Sequence, residues 1–212
     1  MPVELSPRVL ELISSRICHD LVSPVGAISN GVELLEEMGE EAGDEAIALI
    51  SSSAQQASHR LKCFRLAYGA AGTDKTLGLR DIREVFAGWL TSGHVQCEFD
   101  PALEGKFSMP PRGFFKCVLN LMMFAEECNR GEGKIFVAPL DGGNGIKVTA
   151  TGKNVAFRDG AEAALEGNVG IDDLDARAVH AYITGRFAAH FGFKVGHQSQ
   201  PDFGRLELKI SF

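Results

Sequence analysis

The chain has 212 residues, an apolar fraction of 45% and a formal net charge of −7. That length buries a core as one large unit or two small ones, and the acidic balance argues against a nucleic-acid surface, which would carry a basic patch. No apolar run approaches the roughly 20 residues of a membrane-spanning helix, and the first residues lack the basic start and apolar block of a signal peptide, so a cytoplasmic location is expected.

Residues 6–38 read as one long helix. Leu10, Ile13, Ile17, Leu21, Val25, Ile28, Val32 and Leu35 recur at spacings of three and four and line one face. Pro24 lies inside this run, where it removes a backbone hydrogen bond and is expected to bend the helix. Glycine and acids at 39–45 supply a turn. A second helix spans about 44–68, with Ile47, Ile50, Ala54, Ala57, Leu61 and Phe64 as a heptad-like seam. Two antiparallel helices with one apolar stripe each cannot enclose a core alone. Pairing with a second copy into a four-helix bundle, and therefore a homodimer, is the expectation.

Residues 69–78 are small, polar and glycine-rich and read as a linker. Beyond them, TLGL, VQCEFD, GKIFVAPL, GIKVTATG and the terminal RLELKISF read as strands, the last four separated by glycine or proline turns. Helical stretches lie between them at about 80–91, 110–129 and 173–191. Pro110 and Pro111 open the middle one and Gly131 follows its end. The fold class is α+β: a helical hairpin over 1–72, then a layered α/β unit over 73–212.

His19 carries the chemistry. On a helix, residues two apart differ by about 200°, so His19 points away from the seam marked by Ile17 and Leu21. Arg16, Asp20, Ser23, Gly26, Ala27 and Asn30 lie on or beside its face, a low polar surface that leaves room for an incoming protein. A neutral imidazole offers a free nitrogen to a phosphoryl group. Asp20 can orient the ring and stabilise the developing imidazolium, and Arg16 can steady phosphate oxygens.

The run CHDLVSP resembles the phosphoacceptor box of two-component histidine kinases, in which a histidine is followed by an acid, a leucine, two variable positions and a proline. More closely, RICHDLVSPVGAISNGVELLEE and the second helix ending in FRLAYGAAG resemble the alphaproteobacterial ChpT family of histidine phosphotransferases, specifically over residues 10–72. The resemblance implies a dimeric bundle carrying phosphohistidine, joined to a kinase-like C-terminal domain that binds no ATP. It implies as partners the receiver domain of a hybrid histidine kinase and those of response regulators, with Mg²⁺ supplied by the receiver rather than held by this chain. It also places His59, on the second helix, beside the receiver-docking site.

A kinase ATP domain has Asn-Leu-Leu-x-Asn-Ala on a helix, its second Asn holding Mg²⁺. The matching residues are Asn120, Leu121, Met122, Met123, Phe124 and Ala125, and the phenyl ring of Phe124 cannot coordinate a hard cation. The Asp-x-Gly-x-Gly motif that binds adenine is matched by Ala150, Gly152 and Asn154, and alanine offers no acceptor. Where a glycine-rich lid belongs, the chain reads GNVGIDDLDARAVH. No cofactor is expected on this chain.

Phe114, Phe115, Val118, Leu119, Met122 and Met123 read as core. Cys18, Cys63, Cys97, Cys117 and Cys128 have no CxxC spacing and read as free thiols, mostly buried. His94, His180, His190 and His197 show no metal-ligand spacing and read as surface or core residues. Two other readings stay open: a divergent kinase fragment that binds ATP, and a non-catalytic adaptor that holds receivers. A monomeric transfer domain fits less well, because such domains carry His-x-x-Lys-Gly and here Val22 and Ser23 stand at those places.

Overall fold

The structure, a computed structural model, describes residues 6–38, 43–90, 94–130 and 132–212. Two long helices come first, α1 (Pro7–Met38) and α2 (Gly43–Ala67), close to the ends the apolar spacing predicts. The α1 helix runs through Pro24 without interruption. The expected turn at 39–45 lies partly outside the described residues, as does Gly131.

The two helices pack through a narrower face than the predicted seams. Among the described residues of α1, Leu12, Pro24 and Gly31 are buried, whereas Leu10, Val25 and Val32 stand exposed. On α2 the buried residues are Ala46, Ser53, Ala57, Cys63, Phe64, Leu66 and Ala67, while Ile47 and Leu61 are exposed. Close approach explains the small residues. A Cβ on Gly31 would stand 2.6 Å from Cγ1 of Ile50 and 3.4 Å from the Ala46 carbonyl oxygen, so glycine lets the helices touch at that crossing.

The predicted linker is packed structure: Ala70–Thr73 form a 3₁₀ turn, with Gly72 buried and Leu77 half-buried. TLGL is not a strand. It leads into α3 (Leu79–Trp89), where the backbone N–H of extended Gly78 donates to Asp81 at 2.7 Å and so starts the helix.

The remaining elements are β1 (Val95–Phe99), α4 (Phe114–Cys128), β2 (Gly133–Pro139), β3 (Gly145–Gly152), α5 (Ala161–Glu166), α6 (Val179–Phe191), β4 (Lys194–Gln200) and β5 (Arg205–Ser211). Pro110 and Pro111 do not open α4. Phe114 donates to the Pro111 carbonyl at 3.1 Å, and Gly113, at φ +81°, makes the left-handed step from which the helix departs. The last helix also begins later than predicted, because Asp175 accepts from the backbone of Arg177 at 2.9 Å and Ala178 at 2.8 Å and holds that stretch as a turn.

The sheet has the order β1-β2-β3-β5-β4, with β1 and β2 parallel and every other pair antiparallel. Register stacks the apolar side chains on one face: Ile135 opposite Ala150, Ala150 opposite Leu206, Val148 opposite Leu208 and Ile146 opposite Ile210. The helix α4 lies on that face and is buried nearly all round, from Phe114 to Ala125, because the hairpin covers its other side. One apolar cluster runs from Leu12, Phe64 and Ala67 of the hairpin into the sheet. The joint is also polar. Lys116 and Asn120 of α4 donate at 2.8 Å to the carbonyls of Gly69 and Ala67, the open end of α2.

Candidate phosphoacceptor site

Helical spacing puts Arg16, His19 and Asp20 on one face of α1 at positions i, i+3 and i+4. The His19 side chain is 88% exposed, and its Nδ1 lies 3.3 Å from Oδ1 of Asp20. A carboxylate accepts, so Nδ1 carries the hydrogen and donates to it. The lone pair of Nε2 is then left free. Farther along the same helix Ser23 and Asn30 are exposed and Gly26 and Ala27 half-exposed, and a Cβ on Gly26 would meet nothing within 4 Å. The face beside the imidazole is open.

His19 and Asp20 line a cleft of about 540 Å³ between the hairpin and the α/β half. Arg60, from α2, and Arg158 and Arg177, from the α/β half, also line it, residues the sequence reading missed. With Arg16 they make four arginines against three acids, Asp20, Glu126 and Glu127, a local balance opposite to the chain's −7. The Arg60 guanidinium lies 3.8 Å over the Trp89 ring, and Trp89 Nε1 donates to Glu126 at 3.3 Å. Burial raises the Glu126 carboxyl above the usual range. A second recess of about 590 Å³ adds Arg130 and shares Arg158 and Arg177 with the first.

Arg16 is not free on this surface. Both its terminal nitrogens bond Glu127 of α4, and Glu127 also meets Nδ1 of buried His180. Neither partner carries a sequence signal, since Glu127 lies 111 residues from Arg16 and His180 another 53 beyond. His59 packs against Gly88 of α3. Cys18, beside His19, is exposed; burial pushes the thiols of Cys63, Cys97 and Cys117 up to about 12, where they are inert. Among the described residues there is no cluster of three metal-ligating side chains, and no helix is long and apolar enough to cross a membrane.

Residues 79–202 match the family model of the histidine phosphotransferase C-terminal domain. The protein phosphotransferase ChpT of Brucella abortus (strain 2308) is 34% identical over 200 residues, which is 92% of each chain. The chain belongs to the ChpT family. A solved bacterial phosphotransferase, 29% identical, superposes over the whole of both chains with a TM-score of 0.77. This ChpT-family chain is accordingly a protein phosphotransferase that acts in a phosphorelay. The family resemblance read from residues 10–72 is borne out, and the matching family model lies in the other half of the chain.

Proposed function

We propose that His19 is the phosphoacceptor of this phosphotransferase. It takes the group from an aspartyl phosphate on the receiver domain of a hybrid histidine kinase and hands it to the receiver domains of response regulators. One observation carries the reading: an imidazole 88% exposed, tethered at Nδ1 by Asp20, beside an arginine-lined cleft.

The lone pair of Nε2 attacks phosphorus, the bond from phosphorus to the aspartyl oxygen breaks, and the aspartate leaves with that electron pair. The proton on Nδ1 stays, and Asp20 stabilises the cationic phosphoimidazole. Transfer onward reverses the step. Such reactions depend on positioning and charge neutralisation; the receiver brings the Mg²⁺. Arg60, Arg158 and Arg177 suit an anionic partner surface, and Ser23, Gly26, Ala27 and Asn30 give it clearance.

The phosphoryl group comes from a protein rather than from ATP. Phe124, where a kinase holds Mg²⁺, is 2% exposed and stacks on Phe157 at 5.9 Å. Ala150, where a kinase binds adenine, is sealed in the sheet between Ile135 and Leu206. The active form is a homodimer: Val25 and Val32 on α1, with Ile47 and Leu61 on α2, leave an apolar stripe that a second hairpin covers to make a four-helix bundle. Its place is the cytoplasm, with the receivers.

Incubation with a radiolabelled phospho-receiver tests this. Wild type takes up acid-labile, base-stable label; His19→Ala takes up none while remaining dimeric and folded. Label retained in that variant overturns the assignment, and micromolar ATP binding in titration calorimetry overturns the exclusion of nucleotide.

A further inference from the structure

The phosphotransfer reading leaves the partners of Arg16 unexplained. Four side chains from three helices form one chain of contacts: Arg16 of α1, Glu127 and Asn120 of α4, and His180 of α6. His180 is fully buried, with Tyr68 edge-on at 5.9 Å and Phe124 at 6.1 Å. The charged and titratable groups near it are Arg16 and Asp20 on α1, Tyr68 just past α2, and Glu126 and Glu127 on α4.

The Asn120 amide fixes the proton inventory. Its Nδ2 lies 2.8 Å from the Ala67 carbonyl oxygen and 2.8 Å from that of Lys116. Carbonyls only accept, so the NH₂ end points there and Oδ1 faces Nε2 of His180, 3.3 Å away. Nε2 is therefore a donor and carries a hydrogen. The other ring nitrogen, Nδ1, bonds Oε1 of Glu127, the oxygen that Arg16 Nη2 also bonds. Two lone pairs repel at such a contact, so a second proton sits between ring and carboxylate.

Burial lowers the pKa of His180 and would raise that of Glu127, but the His180 and Arg16 charges hold the Glu127 carboxyl below its usual range. Whichever atom holds the shared proton, Glu127 and His180 sum to zero charge. Arg16 adds one, and the assembly carries one net positive charge, one helical turn before His19.

We propose that Glu127 and His180 are positioning residues for phosphotransfer: they clamp Arg16 beneath the His19 face and keep a net positive charge there for the phosphoryl group. The clamp ties the acceptor helix to both α4 and α6, so the α/β half of the molecule orients the acceptor. Its partners are specific: Asn120 sets the His180 tautomer, His180 and Arg16 share Glu127, and Glu127 fills both arms of the guanidinium fork.

This inference rests on His19 as acceptor, and the test separates the two. Glu127→Gln keeps the shape and removes the charge. In single-turnover transfer from a phospho-receiver, its maximal rate is expected to fall about tenfold or more, the scale of misplaced catalytic geometry, with the half-saturating receiver concentration unchanged. An unchanged maximal rate, or a change confined to half-saturation, overturns the proposal. Because the variant is also able to loosen the joint, the unphosphorylated wild type supplies a second readout. The nitrogen-15 spectrum of His180 at neutral pH is expected to show the hydrogen on Nε2 that faces Asn120 Oδ1, and a bare Nε2 overturns the clamp. Label retained by His19→Ala would instead remove the acceptor assignment and leave the spectrum of His180 standing.

Discussion

Helix α4, 15 residues long, is buried on nearly every side, whereas α1, 32 residues long, buries only Leu12, Pro24 and Gly31 among its described residues. Both are amphipathic in sequence, yet the sheet and hairpin close over one and leave the other half open. In α4 the surrounding core is complete within one chain, so substitutions there act on stability. In the hairpin the apolar residues Val25, Val32, Ile47 and Leu61 remain at the surface, so substitutions there are expected to act on the proposed association of two hairpins.

The comparison breaks most sharply at Phe114, which is fully buried among Phe107, Phe115, Phe193 and Phe212. Phe114→Ala is expected to lower the unfolding free energy by about 3–5 kcal/mol through lost burial and a cavity, measured by urea denaturation. A loss below about 1 kcal/mol would show that the core re-forms around the gap. Leu61→Asp, on the open stripe, is expected to abolish the dimer in light scattering while moving unfolding of the isolated chain by only about 0.5 kcal/mol. A dimer that survives would place the interface elsewhere. The smallest effect belongs to Lys134→Ala. Its ion pair with Glu98, 2.6 Å across β1 and β2, is about half exposed at both ends, so the loss is expected to stay under about 1 kcal/mol and to shrink with salt.

What was legible follows the strength of local periodicity. Helices α1 and α2 and strands β1, β2, β3 and β5 stand close to the expected ends, because their apolar spacing or bounding turns repeat often enough to read. Strand β4 was missed, since KVGHQSQ is a polar edge strand paired only to β5. Helix α5 was missed as well, because AEAALE is too short to show a helical period. TLGL misled by its two leucines, where the Gly78–Asp81 cap decides the local structure.

The candidate site divides in the same way. His19, Asp20 and the low polar face around them were readable because helical spacing alone brings neighbours three and four apart together. The cleft was not. Arg60, Arg158, Arg177, Glu127 and His180 come from four separate stretches of chain, and only their packing makes them neighbours. Arg16 shows the limit most clearly: spacing placed it beside His19, but the half-buried carboxylate that holds it arrives from 111 residues away.

By itself, then, the sequence determined the CHDLVSP box, the helical hairpin that carries it, and the apolar Phe124 and Ala150 of the second half. These are local patterns, fixed by the 3.6-residue turn and by the chemistry of single side chains. Tertiary structure alone decided that the hairpin and the α/β half share one core, that four arginines line the cleft beside the imidazole, and that Asn120 faces Nε2 of His180. Those outcomes depend on contacts between residues far apart in the chain, and burial sets their energies only once the fold has brought them together.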